Sequence, residues 1–443
     1  MYLLPSIIRQ LLLATALVLS LTSVTAQNAL PKISDVRVTN NPADNSVIVK
    51  YKITDPDDKA FTVHFLVSAD ASDDYTIDTR QATGSIGDNI PAGKQQLTWN
   101  YKAAGIDPAK SRFKLVVSDG HVPTAMDLLQ LIDSNSLKTE LQSIIATAPK
   151  IPTDTTINRA ARIRDLIRAE CSPAGYQLRT QDFVFGDYKG ANIIAVKPGT
   201  SLPNELTAVS ACIDLAEGKP CANSNGSGLA GMLQIAAVLS HLQLKRTVHI
   251  LGFDYSGEEF IGSNQYVFQG GIKDYERITG LIDLDRIGSY SADIRSHRVE
   301  DAAVQLFPAV YKEVLADSSR ADFLTVVSNQ RSHPLAASFM KNAGAYFPHF
   351  KVYEKEYPEY GEITVGETDF VQFSDHIPFW YRKYPAVWIT DAGATARING
   401  GAEDTPDKIN FSFFTQTVRL CLLNVLEMGQ PDHAAVYEAG FTQ

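Results

Sequence analysis

The stretch from Ala208 to Gly228, AVSACIDLAEGKPCANSNGSG, constrains this chain more than any other. It opens as an apolar strand and reaches Asp214; a polar loop follows, and Gly226-Ser227-Gly228 opens a helix. Leu206 to Asp214, Ser227 to Leu239 and Thr247 to Asp254 together read as a β-α-β unit. The helix is apolar nearly all round, so it is expected to be buried. The run Val248 to Phe253 is almost continuously apolar, as a strand covered on both faces would be. His249 within it reads as a satisfied core histidine. Two further apolar runs end in acid: Thr247 to Asp254 leads to Glu258 and Glu259, and Leu281 leads to Asp285. Open α/β sheets place their ligand sites at the carboxyl ends of their strands. Three acid-ended strands therefore predict the geometry of a metal-dependent hydrolase.

A chain of 443 residues is long for one domain, and two are expected. The formal net charge of -10, with no Lys/Arg cluster, argues against nucleic acid as a partner. Arg9 precedes an apolar run from Leu11 to Leu21, and Val24-Thr25-Ala26 has the small residues of a cleavage site. Residues 1–26 are therefore expected to be a signal peptide, and the protein to be exported to the periplasm, cell surface or medium. No membrane span is expected after cleavage, because the run is short. Export makes disulfides possible for Cys171, Cys212, Cys221 and Cys421.

After the leader, residues 27–121 alternate with period two. Val47, Val49, Tyr51 and Ile53 form one such set, Phe61, Val63, Phe65 and Val67 another, and Leu97, Trp99, Phe113, Leu115 and Val117 continue it. Short alternating runs with Asp/Pro/Gly turns predict an antiparallel β-sandwich, similar to an immunoglobulin or fibronectin III module. The acids from Asp55 to Asp58 lack the spacing of a calcium cage and read as a solvated turn. Residues 122–443 change to mixed helical and strand patterns: a mixed, mostly parallel sheet with helices on both faces. Arg331 to Thr368, rich in Tyr, Phe, Pro and Glu, reads as a long irregular stretch covering a site.

Five pieces then occur in order: Ala191-Asn192-Ile193-Ile194-Ala195-Val196, Ser256-Gly257-Glu258-Glu259-Phe260-Ile261-Gly262-Ser263, Leu284-Asp285 with Ile287-Gly288, Ser374-Asp375-His376 with Phe379-Trp380, and Asp404-Thr405-Pro406-Asp407. In this order the segment from about 122 to 430 resembles the co-catalytic zinc exopeptidases of clan MH, in particular the bacterial leucyl aminopeptidases and glutaminyl cyclases. The resemblance implies two zinc ions held by histidines and acids, a bridging aspartate, and a glutamate that takes a proton from the bound water.

Carried over by position, the resemblance implies Glu258 as the general-base residue, Glu259 and Asp285 as ligand-type acids, and Asp214 as the acid behind the first histidine. That histidine's own place holds Cys212. Ser224 stands where the bridging aspartate would be, and Gly400 where the last histidine would be. Three of five ligand positions are thus replaced. His376 is expected to line the cleft. Cys212 and Cys221, on one loop, could instead form a disulfide, with Cys171–Cys421 as the other pairing considered. The expectation is a non-catalytic member without a cofactor, binding a peptide, glycan or protein in an acidic cleft. The alternative is an active metallo-aminopeptidase or related hydrolase with a rearranged site. It would hold a single zinc by Cys212, Glu259, Asp285 and a histidine such as His333 or His349.

Overall fold

The computed structural model describes residues 31–69, 77–120, 124–148, 158–172, 174–358, 374–393 and 400–431, together with the backbone of strand 436–442. The expected leader at 1–26, and residues 359–368 of the expected irregular stretch, lie outside them. The first strands are β1 (Lys32–Asn41), β2 (Ser46–Thr54), β3 (Ala60–Ser68), β4 (Thr83–Gly84), β5 (Gly87–Pro91), β6 (Gly93–Asn100) and β7 (Arg112–Ser118). Three helices follow, α1 (Ala125–Gln130), α2 (Ser134–Ala146) and α3 (Arg159–Cys171), then strands β8 (Gln177–Phe185), β9 (Tyr188–Lys197) and β10 (Leu202–Cys212). Helix α4 (Gly228–Ser240), β11 (Arg246–Phe253), α5 (Ile261–Phe268) and β12 (Arg277–Leu284) come next, then α6 (Asp301–Leu306), α7 (Pro308–Ala316) and β13 (Phe323–Asn329). The chain continues through α8 (His333–Tyr346), β14 (Lys351–Tyr357), α9 (Ile377–Tyr381), β15 (Ala386–Asp391), α10 (Phe411–Gly429) and β16 (Val436–Thr442).

The period-two pattern before residue 120 becomes two four-stranded antiparallel sheets, ordered β1-β2-β6-β4 and β16-β7-β3-β5. The alternating apolar residues form one core of their own, in which Trp99 packs edge-on against Phe65 at 5.9 Å. The last strand of the chain, β16, pairs antiparallel with β7, Val436 opposite Ser118. Nothing in the sequence pattern announces that return, which adds residues 436–442 to a sheet otherwise built before residue 120.

The other sheet has eight strands in the order β14-β13-β15-β12-β10-β11-β9-β8. Four of its seven neighbouring pairs are parallel, so the sheet is mixed and mostly parallel. Alternate side chains face opposite layers, as the pleat requires. Val209, Ala211, Ile250, Ile282 and Ile389 join α1–α4, α8 and α10 in one core, whereas Ala208, Leu251, Phe253, Leu281 and Trp388 join α5, α7 and α9 in another. Helix α4 is buried almost throughout, as its apolar circumference predicts. His249 is 1% exposed and its Nδ1 lies 2.7 Å from the Tyr266 hydroxyl.

The irregular stretch expected from Arg331 is corrected for its first part. It forms α8, opened by Pro334 in the first turn, and then β14. Leu335, Ala336, Phe339 and Ala343 recur at helical spacing and are buried. Among the described residues no helix is long and apolar enough to cross a membrane.

Candidate functional site

Strands β10, β11, β12 and β15 run parallel, so their carboxyl ends share one edge of the sheet. That edge collects Cys212 and Asp214 after β10, Asp254 to Glu259 after β11, Asp285 after β12, and Asp391 at the end of β15.

The segment carrying Glu258 and Glu259 is clamped from below. Asn192 on β9 accepts the Asp254 N–H at 3.2 Å and donates to the Gly262 carbonyl at 2.8 Å. A Cβ at Gly262 would stand 2.2 Å from the Asp254 carbonyl oxygen, so only glycine closes this turn. Asp214 accepts the Gly257 N–H at 3.0 Å, tying the end of β10 to the same segment, and burial pushes its carboxyl up to about 6. Asp375 accepts hydroxyl hydrogen bonds from Ser256 and Ser263, and burial raises its carboxyl well above the usual range. Glu258 and Glu259 themselves are exposed. Glu258 accepts a hydrogen bond from the Tyr188 hydroxyl at 3.1 Å.

Behind these acids, the loop that opens α4 is stitched to its neighbours through carboxylates and amides. Asp404, fully buried, accepts the N–H groups of Asn223, Ser224 and Gly400 at 2.8, 3.0 and 2.9 Å. Asp391 accepts from the Asn223 side chain and from the Ser289 N–H, and burial pushes it up to about 6. Asn225 donates to the Leu284 carbonyl at 2.7 Å and accepts the Arg286 N–H at 3.0 Å. Cys212 lies against this network through the Asn225 side chain, and burial raises its thiol far above the ordinary cysteine value. Gly400 sits at φ +70, the left-handed region that glycine favours.

Arg286 completes the edge. Its Nη2 lies 2.9 Å from Asp285 Oδ2, and the two side chains are 22% and 18% exposed. Its guanidinium carbon stands over the Trp388 ring, 5.5 Å from the centroid. Neighbouring residues of an extended strand point to opposite faces. At Arg286 the backbone is left-handed, φ +57, and that alternation is broken. Burial raises Asp285, and Arg286 opposes that rise.

Residues 192–425, just over half of the chain, match the sequence profile of Peptidase family M28. The chain belongs to that family. It is 32% identical over 128 residues to leupeptin-inactivating enzyme 1 of Streptomyces exfoliatus, covering 28% of this chain and 29% of that one. It is 28% identical over 106 residues to aminopeptidase YwaD of Bacillus subtilis, covering 24% and 23%. The chain thus spans less than a third of either relative. Two solved structures share the M28 fold at low identity. LapB from Legionella pneumophila has a TM-score of 0.50 and 16% identity over 69% of this chain and 75% of that one. An aminopeptidase from Aneurinibacillus sp. strain AM-1 has a TM-score of 0.50 and 13% identity over 70% and 98%.

Of the residues expected at the site, Glu258, Glu259, Asp285, Cys212 and Asp214 lie at the strand-end edge. Ser224 and Gly400 reach the shared carboxylate of Asp404 through their backbone. His376 does not line a cleft. It is 0% exposed, edge-on to Trp380 at 4.5 Å and stacked near-parallel to Trp388 at 5.8 Å. Its Nδ1 lies 3.9 Å from Asp283 Oδ2, and neither ring nitrogen has a hydrogen-bond partner among the described residues.

The disulfide expected between Cys212 and Cys221 is not formed, nor is Cys171–Cys421: all four thiols are free. Cys221 turns to the Ala216 carbonyl, whereas Cys212 turns to Asp214 and Asn225. His333 does not join the site either. It follows β13, which runs antiparallel to β15, so it lies at the opposite edge of the sheet. There it pairs with Glu354 and Glu356 at 3.0 and 3.1 Å. His349 is exposed in the turn before β14. Sequence reading also missed that Asp119, beyond β7, joins Asp55 and Asp58 in a group of three carboxylates.

Proposed function

We propose that this protein is an exported, non-catalytic member of the M28 family that acts by binding. Its ligand is a peptide, glycan or protein presenting a cationic group to the acidic edge. The two four-stranded sheets built from β1–β7 and β16 act as an immunoglobulin- or fibronectin III-like module. One observation carries the reading. Ser224 and Gly400, which the resemblance puts at two zinc-ligand positions, address the same Asp404 oxygen through backbone N–H groups. A serine hydroxyl is a poor zinc ligand and a glycine offers no side chain. The residues present therefore do not fit two zinc ions. Without a metal-bound water, Glu258 faces water of pKa about 15.7 and has almost nothing to abstract at neutral pH.

The relatives named as aminopeptidases supply the test. Purified full-length protein, supplied with zinc, is assayed on a panel of aminoacyl chromogenic substrates, beside Glu258→Gln. The expected result is no zinc-dependent turnover above that of the variant. Turnover by the wild type that Glu258→Gln abolishes would overturn the reading in favour of a rearranged, single-metal hydrolase.

A further inference from the structure

Loss of a metal leaves an acidic site with a problem. Cys212, Asp214, Asp285 and Asp391 end their strands at one edge, and Asp283 lies behind it, hydrogen-bonded by Ser210 at 2.6 Å. In a low-dielectric surrounding, such carboxylates repel one another unless a cation stands among them.

Arg286 answers it from inside. Its guanidinium meets Asp285 at 2.9 Å, the one M28 acid that follows β12. The same cation feels Asp391 and Cys212, so it lies among the ends of three strands rather than beside one. The face of Trp388 backs it at 5.5 Å, an arrangement that suits a planar, weakly hydrated cation. Its backbone is fixed on both sides: Asn225 accepts its N–H, and its carbonyl accepts the Asp391 N–H at 2.7 Å and the Thr390 hydroxyl at 3.3 Å. Asn225 belongs to the loop that carries Ser224. One side chain thus ties the Arg286 backbone to that loop.

We propose that the Arg286 guanidinium is a built-in cation standing in the place of the metal at Asp285, holding the acids together and excluding a dication. The inference rests on the non-catalytic reading and names how that site is kept. Arg286 is a positioning residue, not a catalytic one, and zinc uptake is the readout that a merely structural role would not change.

Four full-length proteins are dialysed against zinc chloride, and bound metal is counted and titrated calorimetrically. They are wild type, Arg286→Met, Cys212→His/Ser224→Asp, and the same pair with Arg286→Met added. Gly400 is left alone, because a histidine at φ +70 would be strained. The triple variant is expected to bind zinc at least about 100-fold tighter than the double, since a like charge a few ångström away opposes the ion. Wild type binding zinc as tightly as the triple variant would overturn the proposal, and so would a double variant equal to the triple. If the multiple variants fail to fold by circular dichroism, wild type and Arg286→Gln decide: stoichiometric zinc on the wild type, or no gain in the variant, overturns it. Turnover by the wild type sinks the non-catalytic reading; equal zinc uptake without turnover sinks only the part given to Arg286.

Discussion

Ser224 and Gly400, far apart in sequence, donate their backbone N–H groups to the same oxygen, Oδ2 of Asp404, from 3.0 and 2.9 Å. The other oxygen takes the Asn223 N–H. Asp404→Ala would leave three N–H groups without their acceptor in a buried place, at a cost of about 3 kcal/mol or more. Asp404→Asn keeps one acceptor oxygen and is expected to lose less. Urea unfolding followed by circular dichroism measures both; an alanine variant as stable as wild type would show that the loops are held by something else.

Glu140 on α2 is buried beside Gln234, and burial, with the Glu170 charge, pushes it up to about 7 from 4.5. Between those values the folded chain keeps a proton that the unfolded chain releases. Stability is therefore fully present below the unfolded value and falls as pH rises toward the folded one. Glu140→Gln is expected to stabilise the protein by about 2 kcal/mol near pH ~8 and by almost nothing near pH ~4. Denaturant midpoints at the two pH values check it.

His249 works in the other direction. Burial pushes it down to about 3 from 6.5, so the folded chain stays neutral where the unfolded chain takes a proton. Stability from this residue is present above 6.5 and is lost as pH falls toward 3. His249→Phe combined with Tyr266→Phe removes both partners of the hydrogen bond. The paired variant is expected to lose less stability than wild type between pH ~6.5 and ~4, by denaturant titration.

The exposed pair Glu258 and Glu259 should select cationic ligands if the edge is a binding surface. Short peptides with free amino termini are expected to bind about tenfold tighter than their acetylated forms, with an affinity that weakens in salt. Charge reversal by Glu258→Lys/Glu259→Lys should remove the difference. Equal binding of both peptide sets by the wild type, measured by fluorescence anisotropy, would place recognition elsewhere.

Much of the α/β sheet was legible because burial writes itself into pattern. Val248 to Phe253 reads as a covered strand and Ser227 to Leu239 as a buried helix; the structure buries both, the helix running Gly228–Ser240. Helix α8 was hidden by its surroundings: aromatic and proline-rich neighbours outweighed the spacing of Leu335, Phe339 and Ala343. Strand β14, KVYEKEY, is too charged to announce an edge strand. The acids of the site were legible by position in the chain. The pairing of Asp285 with Arg286 was not, since alternation places adjacent strand residues on opposite faces and only the left-handed turn at Arg286 undoes it. The burial of His376 depends on Trp380 and Trp388, two tryptophans that meet only in the folded chain.

The pairing of β16 with β7 fixes an order of events during synthesis. Strands β1 to β7 leave the ribosome before β16, and β3 can pair with β5 and β7 at once. The other edge of β7, Arg112 to Ser118, then waits while more than three hundred residues are made. An unpaired edge is a template for another chain. The nascent protein therefore carries an open strand throughout the making of its larger sheet, and strand β16 closes it. A chain stopped after α10 would keep that edge for life, ready to join another copy of itself.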